Sequence, residues 1–161
     1  MKRILFVLKK REVYSQGYAT LLESGLYNSA KFVCNALRHE GYHTHIVDVV
    51  DNNDIDREVT QFKPDVVIIE ALWVVPEKFE VLHKLHPDVL WVVRLHSRIP
   101  FLANEGMAME WIRDYGWKDN VVVAANAIDI YEDLLSIFGS HSRRKIIYLP
   151  NIYPLESIIR K

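Results

Sequence analysis

Residues 63–70 read Lys63-Pro64-Asp65-Val66-Val67-Ile68-Ile69-Glu70, and this stretch decides the fold. The Pro-Asp pair ends whatever precedes it, because proline lacks the N–H that a helix interior needs. Four β-branched residues then follow without a polar interruption. The run is too short for a helix, and too uniformly apolar for a strand with one wet face. It describes a strand buried on both sides, as in a parallel sheet with helices above and below. The run stops on a carboxylate.

Working outward, runs of the same kind recur at Ile4–Leu8, His43–Val50, Val89–Leu95, Val121–Ala124 and Lys145–Leu149. Stretches of helical period separate them. Leu26, Ala30, Val33 and Leu37 form one stripe, with Ser24 as N-cap and Gly41 just past the end. Ile55, Val59 and Phe62 follow the turn Asp51-Asn52-Asn53-Asp54. Glu77–His86 carries Phe79, Leu82 and Leu85, with Pro76 at its start, where a missing N–H costs nothing. Asn104–Tyr115 shows Met107, Trp111 and Tyr115. Asn126 caps a last helix with Ile130, Leu134 and Phe138, and Gly139 closes it. The alternation predicts an α/β fold: a doubly wound, Rossmann-like parallel six-stranded sheet with helices on both faces. Right-handed crossovers favour the strand order 3-2-1-4-5-6, with a flavodoxin-like order as the alternative. The polar connection Lys9–Ser24 is long for a βα loop, and its Tyr14–Ser24 part is expected to be mobile over the site.

With 161 residues, half of them apolar, the chain is long enough for one domain with its own core. Lys and Arg number 20 against 21 Asp and Glu, a net charge of −1, so no broad cationic field exists for nucleic acid or an anionic membrane. The single cysteine, Cys34, excludes an intramolecular disulfide and a multi-cysteine zinc site. The run Met1–Leu8 breaks at Lys9-Lys10-Arg11 and lacks a small-residue cleavage site, so it reads as a strand and not a leader. No stretch is apolar for the length of a membrane span. These features predict a cytoplasmic protein with no transmembrane segment and no nucleic-acid partner.

Several familiar chemistries drop out. No G-x-G-x-x-G follows the first strand, and no G-x-x-x-x-G-K-[ST], H-E-x-x-H or G-x-S-x-G occurs. In an open α/β sheet, ligands sit outside the C-terminal strand ends, and that rule selects the residues worth weighing. Gly25, beside Ser24, would let an anion approach a helix N-terminus, or would simply ease a turn. Glu70 ends the third strand close to Trp73. It either accepts hydrogen bonds from sugar hydroxyls while the indole packs on the ring, or it caps the next helix or pairs with Arg94. Arg94-Leu95-His96-Ser97-Arg98 crowds the end of the fourth strand with cationic and proton-exchanging groups, and His96 is the natural candidate for proton transfer. His43 and His45 share a strand face with no third ligand nearby, so no metal is expected. Cys34 reads as core, and Arg143-Arg144-Lys145 as solvated loop charge.

The order of these features resembles a known family. The chain is similar to the N-terminal half of GT-B glycosyltransferases, in particular the family-4-like "glycosyl transferases group 1" set. The matching pieces are Lys2-Arg3-Ile4-Leu5-Phe6-Val7, Ser24-Gly25-Leu26-Tyr27-Asn28-Ser29-Ala30 and Leu37-Arg38-His39-Glu40-Gly41-Tyr42. They continue with Lys63-Pro64-Asp65-Val66-Val67-Ile68-Ile69, Val121-Val122-Val123-Ala124-Ala125-Asn126 and Ile146-Ile147-Tyr148-Leu149-Pro150-Asn151-Ile152-Tyr153. The resemblance implies a single Rossmann-like domain over 1–153, with 154–161 starting the crossover to a second domain. It implies a sugar or glycan acceptor held by Gly25, Glu70, Arg94, Arg98, Tyr14 and Tyr18, with His96 as the catalytic residue. No resident cofactor follows from it. A nucleotide sugar would be the co-substrate, bound mainly by a second Rossmann-like domain or chain that this sequence does not contain. The alternative is a non-catalytic module of the same fold that binds a saccharide or a protein partner. A receiver-type signalling domain fits less well, because Lys9, Lys10 and Arg11 stand where an acidic cluster would follow the first strand.

Overall fold

The computed structural model describes residues 2–10, 18–104, 106–142 and 145–151. Six parallel strands form one sheet: β1 (Arg3–Lys9), β2 (His43–Val49), β3 (Val66–Glu70), β4 (Leu90–Leu95), β5 (Val121–Ala125) and β6 (Ile146–Tyr148). The helices are α1 (Tyr18–His39), α2 (Ile55–Phe62), α3 (Pro76–Leu85), α4 (Ile99–Ala103), α5 (Ala108–Tyr115) and α6 (Ile128–Ser142). The strands fall where the apolar runs placed them, because fully buried strands carry their signal in composition alone. No helix among the described residues is long and apolar enough to cross a membrane.

The strand order is β2-β1-β3-β4-β5-β6, and this corrects the expected 3-2-1-4-5-6. Both orders satisfy the right-handed crossover rule and differ only in the side of β1 on which β3 settles. The consequence lies in the layers. Only the β1-to-β2 step runs toward one edge of the sheet; every later step runs toward the other. Right-handed connections then put α1 on one face and all later helices on the opposite face. Burial agrees. Ile55, Val59, Phe79, Leu82, Ile112, Ile130 and Leu134 pack with Leu5, Val7, Trp91 and Val93 in the larger core. Ala30, Val33 and Cys34 of α1 pack with Ile4, Phe6, Ile68, Val92 and Ala124 in a smaller one.

Within the larger core, Phe79 meets Trp91 and Tyr115 edge to face, with ring centroids 5.9 and 5.5 Å apart. The Tyr115 hydroxyl donates to the Val74 carbonyl. Burial, and then the charge of Glu77, push that hydroxyl well above its ordinary range, so it stays protonated as a donor. On the α1 face, the Cys34 thiol donates to Thr44 Oγ1 at 3.0 Å, and Arg38 Nη2 donates to the Thr44 carbonyl at 2.9 Å.

Three helix boundaries differ from the reading of the sequence. α1 opens at Tyr18 rather than near Gly25, so residues 18–24 are helical and not part of a loop, and Ser24 is no N-cap. Ala19, Leu21, Leu22 and Glu23 are good helix formers, and one interior glycine costs only about 1 kcal/mol. α6 likewise runs through Gly139 to Ser142. The helix expected over Asn104–Tyr115 starts later, as α5 at Ala108, and is preceded by the separate short helix α4. Gly41, by contrast, ends α1 as expected, at φ 96°.

Candidate functional site

α1 runs against the strands. Its C-terminal half meets the start of β2 through Cys34 and Arg38, and Ser29 meets Arg94 near the end of β4. Register then assembles the site. Glu70, Arg94, Ala124 and Ile147 stand in one row across β3–β6. Their parity with Ile68, Val92 and Ala124 turns Glu70 and Arg94 toward α1. His96 and Asn126 lie two residues beyond the row, on the same side.

Glu70 and Arg94 are both completely buried. Arg94 Nη1 donates to Oε1 and Oε2 of Glu70, each at 3.2 Å. Its Nε donates to the Leu149 carbonyl at 3.0 Å and its Nη2 to Asn151 Oδ1 at 2.7 Å. Ser29 Oγ accepts from Arg94 Nη1 at 3.4 Å and donates to Asn151 Oδ1 at 2.5 Å. The guanidinium therefore has an acceptor on each of its three nitrogens, which is what makes a buried ion tolerable.

His96 completes the cluster. Its Nε2 bonds to Glu70 Oε2, and its Nδ1 lies 3.1 Å from Asn126 Nδ2. An ionised carboxylate only accepts, so Nε2 carries the proton, and Nδ1 is left to accept from the Asn126 amide. The imidazole side chain is 16% exposed, the one member of the Glu70–Arg94–His96 chain that reaches solvent. The backbone here is bent to suit. Ala71 sits at φ 74° and donates its N–H to the Arg94 carbonyl at 2.9 Å, a left-handed conformation costing an L-residue roughly 1–2 kcal/mol.

Gly25 belongs to the same edge for a different reason than expected. It does not head a helix N-terminus; it lies one turn before Ser29 on the same face of α1, about 6 Å further along the axis. From Arg94 to His96 the strand end climbs a similar distance, about 6.6 Å. Among the described residues, a side-chain Cβ at Gly25 would meet nothing within 4 Å.

Other expected members stand elsewhere. Arg98 is directed to Asp129 at 3.2 Å, with 80% of its side chain exposed, and takes no part in the cluster. Trp73 packs against the larger core on the opposite face and donates its indole N–H to the Glu70 carbonyl at 2.8 Å, so its ring does not stack beside the Glu70 carboxylate. Tyr18 opens α1, and Tyr14 lies outside the described residues. His43 Nδ1 pairs with Arg3 Nη1 at 2.7 Å at the other end of the sheet. No group of three or more His, Cys, Asp or Glu residues among the described ones could hold a metal ion.

Three members of the cluster escaped the sequence reading as site residues. Asn126 was expected to cap α6 and instead serves His96. Asn151 was expected only to terminate β6. Ser29 carried a usable signal: a hydroxyl on the inward stripe of α1, between Leu26 and Val33, is a polar group that needs a buried partner.

No family model matches the chain, and no curated protein matches it. Among solved structures, the chain is similar to a fragment of a protein described as a lipoprotein from Peptoclostridium difficile 630, at 11% identity and a TM-score of 0.49, covering 88% of this chain and 98% of that one. It is also similar to a two-component response regulator of the LuxR family from Aurantimonas sp. SI85-9A1, at 14% identity and a TM-score of 0.41, covering 89% and 87% of the two chains. Likeness at this level carries nothing about chemistry.

Proposed function

We propose that this domain is the acceptor-binding half of a nucleotide-sugar-dependent glycosyltransferase, and that His96 faces the acceptor hydroxyl. The observation that carries the reading is the chain Glu70–His96–Asn126 at the C-terminal strand edge. Carboxylate, imidazole and an exchangeable polar partner follow one another in the order that general-base catalysis requires. A sugar hydroxyl taking the place of the Asn126 amide would donate to Nδ1, while Glu70 holds the ring in the tautomer that can accept. The 16% exposure of the imidazole gives that hydroxyl a way in. The switch point of this strand order, between β1 and β3, is where the rule for open α/β sheets puts a ligand, and Glu70 ends β3.

Transfer also needs donor and acceptor held together, a positioning effect of roughly 7–11 kcal/mol, and cationic or amide groups aimed at the departing diphosphate. Arg94 is consumed by its internal partners, and the sequence has no glycine-rich phosphate cradle. The donor therefore belongs to a second Rossmann-like domain or chain, and this chain alone should not turn over. The experiment is a titration of this protein with saccharide acceptors, followed by NMR at His96, Asn126 and Gly25, alongside calorimetry and transfer assays with several nucleotide sugars. Acceptor-induced shifts at those three residues, lost in His96→Ala, are the expected result, with donor binding no tighter than about 1 mM. Micromolar donor affinity, or turnover by this chain that His96→Ala abolishes, would overturn the division of labour.

The occupation of both His96 ring nitrogens favours a second reading, a saccharide-binding module without catalysis. In that case saccharide binding survives His96→Gln, and no donor-binding partner restores transfer.

A further inference from the structure

The cluster contains two connections between His96 and the segment that leaves the sheet after β6. The first runs through the guanidinium: Asn151 Oδ1 to Arg94 Nη2 at 2.7 Å, Arg94 Nη1 to Glu70 at 3.2 Å, and Glu70 Oε2 to His96 Nε2. The second runs through Asn126, whose carbonyl accepts the Asn151 N–H at 3.3 Å and whose amide lies 3.1 Å from His96 Nδ1. Both ring nitrogens of His96 are thus tied, Nδ1 through one residue and Nε2 through two, to the same residue. That residue follows β6, a three-residue strand at the sheet edge and the shortest in the sheet. Seating of Leu149–Asn151 depends heavily on Arg94 and Ser29, which hold it from below. An anchor for a chain segment does not need a charge pair routed to an imidazole, and a buried ion pair is weak as a stability device.

We propose that Arg94 and Asn151 are positioning residues that make the orientation of the His96 ring depend on the seating of the segment after β6. With Asn151 in place, Arg94 holds Glu70 against Nε2, and Asn126 is held against Nδ1. When Asn151 withdraws, the guanidinium loses the acceptor on its outer edge and the Asn126 carbonyl loses its donor. Both restraints on the ring then loosen together. The significance for acceptor chemistry rests on the function proposed above, but the coupling itself is measurable with no sugar present.

The test uses the full chain and reads, by nitrogen-15 NMR, the exchange of the His96 ring N–H with water. Asn151→Ala removes the shared acceptor and should speed that exchange about tenfold, the effect of one net hydrogen bond. The backbone amides of Val67 and Val93, whose side chains pack in the opposite core, should keep their rates. Asn151→Asp keeps an oxygen for Arg94 and Ser29 and should restore the ring exchange to within about twofold of the parent. An unchanged His96 rate in Asn151→Ala overturns the proposal. So does acceleration of Val67 and Val93 in step with His96, which would mark a general loss of stability. A coupled ring that no acceptor perturbs would leave this inference standing and remove the glycosyltransferase reading; the converse result would do the reverse.

Discussion

The two faces of the sheet are built from different materials. Against α2 to α6 the packing is hydrocarbon and aromatic, and the Trp91 indole N–H has no hydrogen-bond partner there among the described residues. Against α1 the apolar cluster is smaller, and all four buried polar or charged side chains among the described residues, Ser29, Thr44, Glu70 and Arg94, lie on this side. An orphaned indole N–H costs about 1–3 kcal/mol, which a large apolar face can absorb. A buried carboxylate and guanidinium tolerate no such neglect, and every nitrogen of Arg94 has its acceptor. One face supplies stability. The other keeps polar groups in fixed places, as a binding edge requires.

The largest effect expected from this contrast is at Arg94. Arg94→Met should lower stability by ~3–5 kcal/mol in urea unfolding, because it strands the Glu70 carboxylate without its ion partner. Replacing both residues with Met should recover most of that loss. In the other core no second change rescues Leu82→Ala, expected to cost ~2–5 kcal/mol through the cavity it leaves. A Glu70/Arg94 double variant as unstable as the single would make the two faces alike and break the comparison.

A smaller effect is expected at Ala71, where the polar face pays for its geometry in the backbone. Ala71→Gly should raise the thermal midpoint, by an amount equivalent to at most about 1 kcal/mol, since glycine accepts positive φ but also frees the unfolded chain. A lower midpoint would show that the Ala71 methyl packs usefully at the strand end.

The smallest effect sharpens the contrast between buried and exposed charge. On the outside of the larger face, Lys118 Nζ lies 2.5 Å from Glu80 Oε1. The hydrogen bond from Lys118, and then its charge, hold the Glu80 carboxyl below its ordinary range. The same bond holds the Lys118 ammonium above its own. The lowered carboxyl gives stability that is present above the ordinary carboxylate range and lost as pH falls through the folded value; the raised ammonium gives stability that is lost only as pH rises through its folded value. Glu80→Gln should therefore be slightly less stable than the parent near neutrality, with the difference vanishing in acid. A difference that persists in acid would assign the effect to packing and not to charge.

The six strands were legible because burial on both sides writes itself into composition: Val66–Ile69 and Val121–Val123 can be little else. Their order was not, since β3 is equally apolar whether it settles beside β1 or beside β2. The choice is made by how α2 crosses the sheet, which no local pattern encodes. Gly25 was read as a helix start because glycine is usually punctuation, yet the helix formers on either side outweigh it. For the site, Glu70, Arg94 and His96 could be picked out by their positions at strand ends. Arg98 could not be told from them, because the strand has already ended and the chain turns it outward to Asp129. Asn126, Asn151 and Ser29 come together only through register and the seating of the segment after β6, over separations of up to 122 residues.

Cys34 offers a clock for one face alone. The only thiol in the chain is 2% exposed beneath α1 and bonded to Thr44. A thiolate reagent can reach it only when that helix lifts from the sheet, so the labelling rate counts openings of the α1 layer while the aromatic core on the far side remains silent. The molecule thus carries its own stopwatch, set beneath the helix that roofs the polar cluster.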